Sequence, residues 1–144
     1  MNKLLIVDDE YIIRSLLETM FQDDYELITA KDGEEAIQRI KEHKPKVVLL
    51  DLMMPKKSGY QVLREIKNNP ETKECYVIVL TAKHQVSDVN IAVDVHADEF
   101  ITKPFDPTIL KNRIDLVFDC LNNNKPIKHG FKNWSGSLHY VKGR

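Results

Sequence analysis

Three apolar runs punctuate the chain: Leu4-Leu5-Ile6-Val7, Val47-Val48-Leu49-Leu50 and Val77-Ile78-Val79-Leu80. Each is continuous rather than alternating, which is the pattern of a strand buried on both faces and predicts a central parallel sheet. Stretches with helical spacing lie between and after them. One stripe is Ile13, Leu16, Leu17 and Met20, a second is Ala36, Ile37 and Ile40, and a third is Ile109, Leu110, Ile114, Val117, Phe118 and Leu121. Residues 26–29 add an edge strand and 100–102 a shorter fifth strand, giving five strand-then-helix units with right-handed crossovers.

Helix punctuation agrees with that division. Asp32 precedes Gly33-Glu34-Glu35, Ser58 precedes Gly59, and Asp106 precedes Pro107 in the N-cap and N1 arrangement. Residues 85–95 form the weakest predicted helix, because Val86, Val89 and Val93 define one stripe while Ile91, Ala92 and Val95 define another. Two stripes fit either a second contact surface or a helix more buried than its neighbours. Asn122-Asn123-Asn124-Lys125-Pro126 then ends the last helix. Residues 1–122 are expected to form one domain and 123–144 a basic tail or linker with no domain of its own.

Composition narrows the class. The 144 residues are 42% hydrophobic and 30% charged, enough for one globular domain and unlike a disordered or fibrous chain. Apolar runs of four residues are far short of the ~20 that a membrane span needs, so a cytoplasmic protein with no membrane partner is expected. Cys75 and Cys120 sit in no metal or disulfide spacing and read as reduced thiols. Charge is unevenly spread. Residues 125–144 carry five cations and no acid, so the net charge of -1 leaves the rest of the chain at -1 - 5 = -6. An acidic body makes nucleic acid an unlikely partner for residues 1–144, and the tail with Phe131, Trp134 and Tyr140 reads as solvated.

In an open parallel α/β sheet, ligands bind beyond the carboxyl ends of the strands, so the residues following each strand carry the chemistry. These are Asp8-Asp9-Glu10, Asp51, Thr81 and Lys103-Pro104. Clustered carboxylates repel one another unless a cation compensates, and a hard divalent ion such as Mg2+ suits Asp9 and Asp51, with Asp8 an optional third acid. An aspartate held beside such an ion and a lysine can accept a phosphoryl group, with Thr81 and Lys103 contacting the transferred oxygens.

These residues resemble the receiver domain of two-component response regulators, the chemotaxis-regulator fold. The matching motifs are Leu4-Leu5-Ile6-Val7-Asp8-Asp9-Glu10, Val47-Val48-Leu49-Leu50-Asp51-Leu52-Met53-Met54-Pro55 with Ser58-Gly59, Leu80-Thr81-Ala82, and Phe100-Ile101-Thr102-Lys103-Pro104-Phe105. The resemblance covers residues 2–122 and implies an α/β fold, a three-layer doubly wound (βα)5 sheet of strand order 2-1-3-4-5. It implies Asp51 as phosphoacceptor and Asp8, Asp9, Asp51 and the Met53 backbone carbonyl as Mg2+ ligands, with Mn2+ able to substitute. Thr81 and Lys103 become phosphate contacts, Thr81 and Phe100 the switch pair, Lys103-Pro104 a cis peptide, and Gly59 the start of the third helix. The implied role is a phosphorylation-controlled switch, not an enzyme, that self-dephosphorylates slowly.

Its implied partners are a histidine kinase or histidine phosphotransfer protein, a downstream target or an effector domain of a longer regulator, and a phosphorylation-dependent second copy. The output surface would be the face formed by helix 85–95, the fifth strand and the last helix, altered as Thr81 moves toward the phosphate and Phe100 turns inward. One departure is His96-Ala97-Asp98, where the family often has glycine before Ala-Asp. Met53 and Lys83 flank the attack site and are the positions expected to set phosphate lifetime.

Two other classes compete. A haloacid-dehalogenase-like phosphatase also uses a strand-end aspartate, but its general acid stands two positions later, where this chain has Met53. A flavodoxin-type binding module needs Ser, Thr or Gly after the first strand, and Asp-Asp-Glu there would repel phosphate.

Overall fold

The computed structural model describes residues 1–82 and 97–127 together with the backbone of 139–141. Its elements run β1 (Lys3–Val7), α1 (Tyr11–Phe21), β2 (Glu26–Ala30), α2 (Gly33–His43), β3 (Val47–Asp51), α3 (Gly59–Asn68), β4 (Tyr76–Ala82), β5 (Glu99–Lys103), α4 (Pro107–Asn122) and β6 (His139–Val141). The strands pair in the order β2-β1-β3-β4-β5-β6. The first five are parallel, in the expected 2-1-3-4-5 order, and β6 runs antiparallel along β5. The predicted helix at 85–95, Lys83 and His96 lie outside the described residues.

Continuous apolar runs are explained by which face each residue serves. Alternate strand residues point to opposite faces. Leu4, Ile6, Leu49, Ile78 and Leu80 join Leu17 and Phe21 of α1 and Leu110, Ile114 and Phe118 of α4 in one core. Leu5, Val7, Val48, Leu50, Val77 and Val79 meet Ala36 and Ile40 of α2 and Val62, Leu63 and Ile66 of α3 in the other. The two clusters cover opposite faces of the sheet.

The stripe on α1 is rotated from its sequence expectation. Leu17 and Phe21 are fully buried, Ile13 and Met20 partly so, and Leu16 is exposed. Asp32, Ser58 and Asp106 cap their helices as expected: Asp32 accepts the Glu35 N–H, Ser58 and Gln61 form a capping box, and Asp106 accepts the Thr108 and Ile109 N–H groups ahead of Pro107. The α1 cap is Glu10 and involves no side-chain bond, so neither Asp8 nor Asp9 is used as a cap.

A buried ion pair was not legible in the apolar pattern. Arg113 of α4, 2% exposed, donates from Nε to Glu99 Oε1 at 2.7 Å, and Tyr76 donates its hydroxyl to Glu99 Oε2 at 3.0 Å. This ties α4 to β4 and β5 at the strand-start end of the sheet. The carboxyl of Glu99 sits above its ordinary value, because burial outweighs the bonds from Arg113 and Tyr76. The tail residues 139–141 were also missed, since three residues are too few to show a period.

Candidate functional site

Register brings the polar strand ends together. Asp51 lies level with Leu80 of β4, so Thr81 stands one residue beyond it, and Thr81 and Ala82 lie level with Thr102 and Lys103 of β5. On the other side, β3 and β1 pair up to Leu50 and Val7, leaving Asp8 beside Asp51. Asp8, Asp51 and Thr81 are all buried, Asp9 and Glu10 exposed.

Lys103 spans the acids. Its Nζ lies 3.0 Å from Asp8 Oδ2 and 3.7 Å from Asp51 Oδ1. Burial pulls the lysine's pKa down, but Asp51 and Asp8 outweigh it and hold the ammonium above its ordinary value. The Lys103-Pro104 peptide is cis. Asp8 is fixed further by its Oδ1 accepting the Glu10 N–H at 2.9 Å, while Arg14 donates to its carbonyl at 2.8 Å.

One ammonium is not enough for this many carboxylates. Burial pushes the Asp51 carboxyl up to about 7, a rise that Lys103 opposes, Asp8 adds to, the Met53 N–H opposes and neighbouring Asp9 adds to. The carboxylate atoms of Asp8, Asp9 and Glu10 lie within 4.8 Å of one another. An oxygen-only donor set with surplus negative charge fits a hard divalent cation. Met53 is exposed, and its N–H reaches Asp51 Oδ1 at 3.3 Å.

Two glycines make room for the loop after β3. A Cβ on Gly59 would collide with the backbone of Asp51 and Leu52, whereas the Gly59 N–H donates to the Leu52 carbonyl at 2.9 Å. A Cβ on Gly33 would collide with the Lys57 carbonyl from the α2 side. Lys56 between them has φ 65°, and its ammonium lies 3.5 Å from Asp32. The sequence signal for Gly59 was its place after Ser58; for Gly33 only a helix start was visible.

Phe100 is 1% exposed and lies within the core shared with α2 and α3.

Residues 4–115 match the response regulator receiver domain. The chain belongs to this family. A receiver domain is the phosphorylation-controlled switch of two-component signalling, a regulatory domain that works with histidine kinases and a downstream effector, and receiver domains bind Mg2+ at their acidic pocket.

Among curated relatives, this receiver is 42% identical to the probable transcriptional regulator ycf27 of Porphyridium aerugineum, over 97% of this chain and 61% of that protein. It is 35% identical to the alkaline phosphatase synthesis transcriptional regulatory protein PhoP of Bacillus subtilis, over 81% of this chain and 48% of that one. The chain therefore spans about half to three-fifths of the length of these relatives. Among solved structures, a receiver domain protein from Clostridium thermocellum superposes with TM-score 0.76 at 29% identity, covering 86% of this chain and 99% of that one. Chemotaxis protein CheY4 of Vibrio cholerae does so with TM-score 0.74 at 28% identity, covering 80% and 97%. No helix among the described residues is long and apolar enough to cross a membrane.

Proposed function

We propose that Asp51 is the phosphoacceptor of this receiver, loaded by a histidine kinase or histidine phosphotransfer protein in the cytoplasm. The observation that carries the reading is the meeting of Asp51 with Asp8, Asp9 and Lys103 at one end of the sheet, Lys103 Nζ lying 3.7 Å from the Asp51 carboxylate. Asp8, Asp9, Asp51 and the Met53 carbonyl would hold Mg2+, with Mn2+ as substitute. Bound there, the cation supplies neutralisation of phosphoryl oxygens and of the acids themselves.

In the transfer, a carboxylate oxygen of Asp51 forms a P–O bond as the P–N bond to the donor imidazole breaks, and the departing nitrogen takes a proton from water. Lys103 stabilises charge on the transferred oxygens from its place between Asp8 and Asp51, and Thr81 donates its hydroxyl to them. The chain is not a turnover enzyme on this reading, because Met53 stands where a phosphatase would carry its general acid and water alone removes the phosphate.

Loading acts through Thr81 and Lys103 on the ends of β4 and β5, with Thr81 and Phe100, buried on β5, as the switch pair. The naming of the curated relatives as transcriptional regulators supports gene regulation as the output, reached through a downstream effector. Incubation with acetyl phosphate and Mg2+ tests the acceptor: acid-labile phosphate should enter the wild-type chain and fail to enter Asp51→Asn, and full labelling of that variant would show a different acceptor.

A further inference from the structure

The edge of β5 is not bare. Residues 139–141 lie antiparallel along it, with Glu99 level with Val141, Phe100 with Tyr140 and Ile101 with His139. Eleven residues, 128–138, separate this strand from Ile127, which is itself buried against the α4 core. The pairing is therefore an intramolecular one, favoured over any partner strand by its tether. An exposed strand edge is a template for another chain, and a covering strand blocks it.

The covered strand is also the one that reaches the candidate phosphoacceptor. Lys103, two residues beyond Ile101, joins Asp8 and Asp51, and Thr102 lies level with Thr81. A phosphoryl group on Asp51 gives Lys103 and Thr81 a new common ligand and draws on both β4 and β5 at their ends. Residues 139–141 pair with three consecutive β5 residues in the unphosphorylated geometry, and so short a ladder has few bonds with which to tolerate a shift. We propose that residues 139–141 are an intramolecular cover of the β5 edge whose occupancy opposes phosphoryl loading at Asp51. The linkage is reciprocal: whatever loading does to the cover, loss of the cover does to loading.

This inference rests on Asp51 as acceptor, so the test separates the two. The probe is beryllofluoride with Mg2+ on the full 144-residue chain. Hydrogen exchange reads the amides of 139–141, and fluorine NMR reads binding. Protection at 139–141 should be present without the probe and fall at least tenfold with it. Tyr140→Pro, which disrupts the added strand outside the phosphoacceptor site, should bind the probe more tightly. Beryllofluoride that fails to bind wild type, or binds Asp51→Asn equally well, overturns the acceptor assignment and the inference with it. Binding at Asp51 with unchanged protection, or unchanged affinity in Tyr140→Pro, overturns the linkage alone. Absence of protection in both states shows that there is no cover.

Discussion

Replacing Asp51 by Asn should make the metal-free protein more stable at neutral pH, though the residue is the proposed centre of its function. The carboxyl is raised from an ordinary 3.8 to about 7, by burial first and by Asp8 and Asp9 in addition. At about 1.36 kcal/mol per decade of acidity, ionising it in the fold rather than in the unfolded chain costs about 4 kcal/mol. Water and salt reach exposed Asp9 and Glu10, so the observed gain should fall at about 2–4 kcal/mol. The sign follows from the direction of the displacement. A raised carboxyl stabilises the fold below its ordinary pKa, and that stabilisation is lost as pH climbs to about 7.

Urea unfolding in EDTA, run from pH 4 to 8 on wild type and variant, reads the difference directly. It should be near zero at pH 4, grow between 4 and 7, and level off above 7. Mg2+ should narrow it by stabilising the wild type, by about 2.7 kcal/mol at a hundredfold excess over its dissociation constant. A variant equal to or weaker than wild type at pH 8 in EDTA would refute the claim that Asp51 is held at an energetic cost among like charges.

The same geometry makes further predictions. Arg113→Met should lower stability by about 3–5 kcal/mol in urea unfolding, because it strands Glu99 in the core, and the double variant with Glu99→Leu should recover most of that loss. Gly59→Ala should weaken Mg2+ binding measured by calorimetry, because its Cβ displaces the backbone of Asp51; unchanged affinity would remove Gly59 from the site. Asp32→Ala should cost about 1 kcal/mol at pH 7. The Glu35 N–H holds the Asp32 carboxyl below its ordinary range, so this cost should shrink as pH falls through the lowered value, seen as converging melting curves.

Much of the fold was readable because its strands are buried on both faces and therefore apolar without interruption. Polar residues at strand ends stood out against that background, which is why Asp8, Asp51, Thr81 and Lys103 could be named from sequence and are found together here. What was not readable depends on partners distant in the chain. Arg113 looks like a surface cation until Glu99 is placed opposite it. Leu16 fits a helical stripe as well as Phe21 does, and only the docking angle of α1 decides which is buried. The collision awaiting a Cβ at Gly33 arises from a loop 24 residues later, and β6 is defined by the edge it joins rather than by any pattern of its own.

Locating the acyl phosphate tests the central claim most directly. After loading with acetyl phosphate and Mg2+, borohydride reduction converts an aspartyl phosphate to homoserine, which fragmentation mass spectrometry assigns to a single residue. Conversion at Asp51 alone is the predicted result; conversion at Asp8 or Asp9, or none at any residue, would contradict the account.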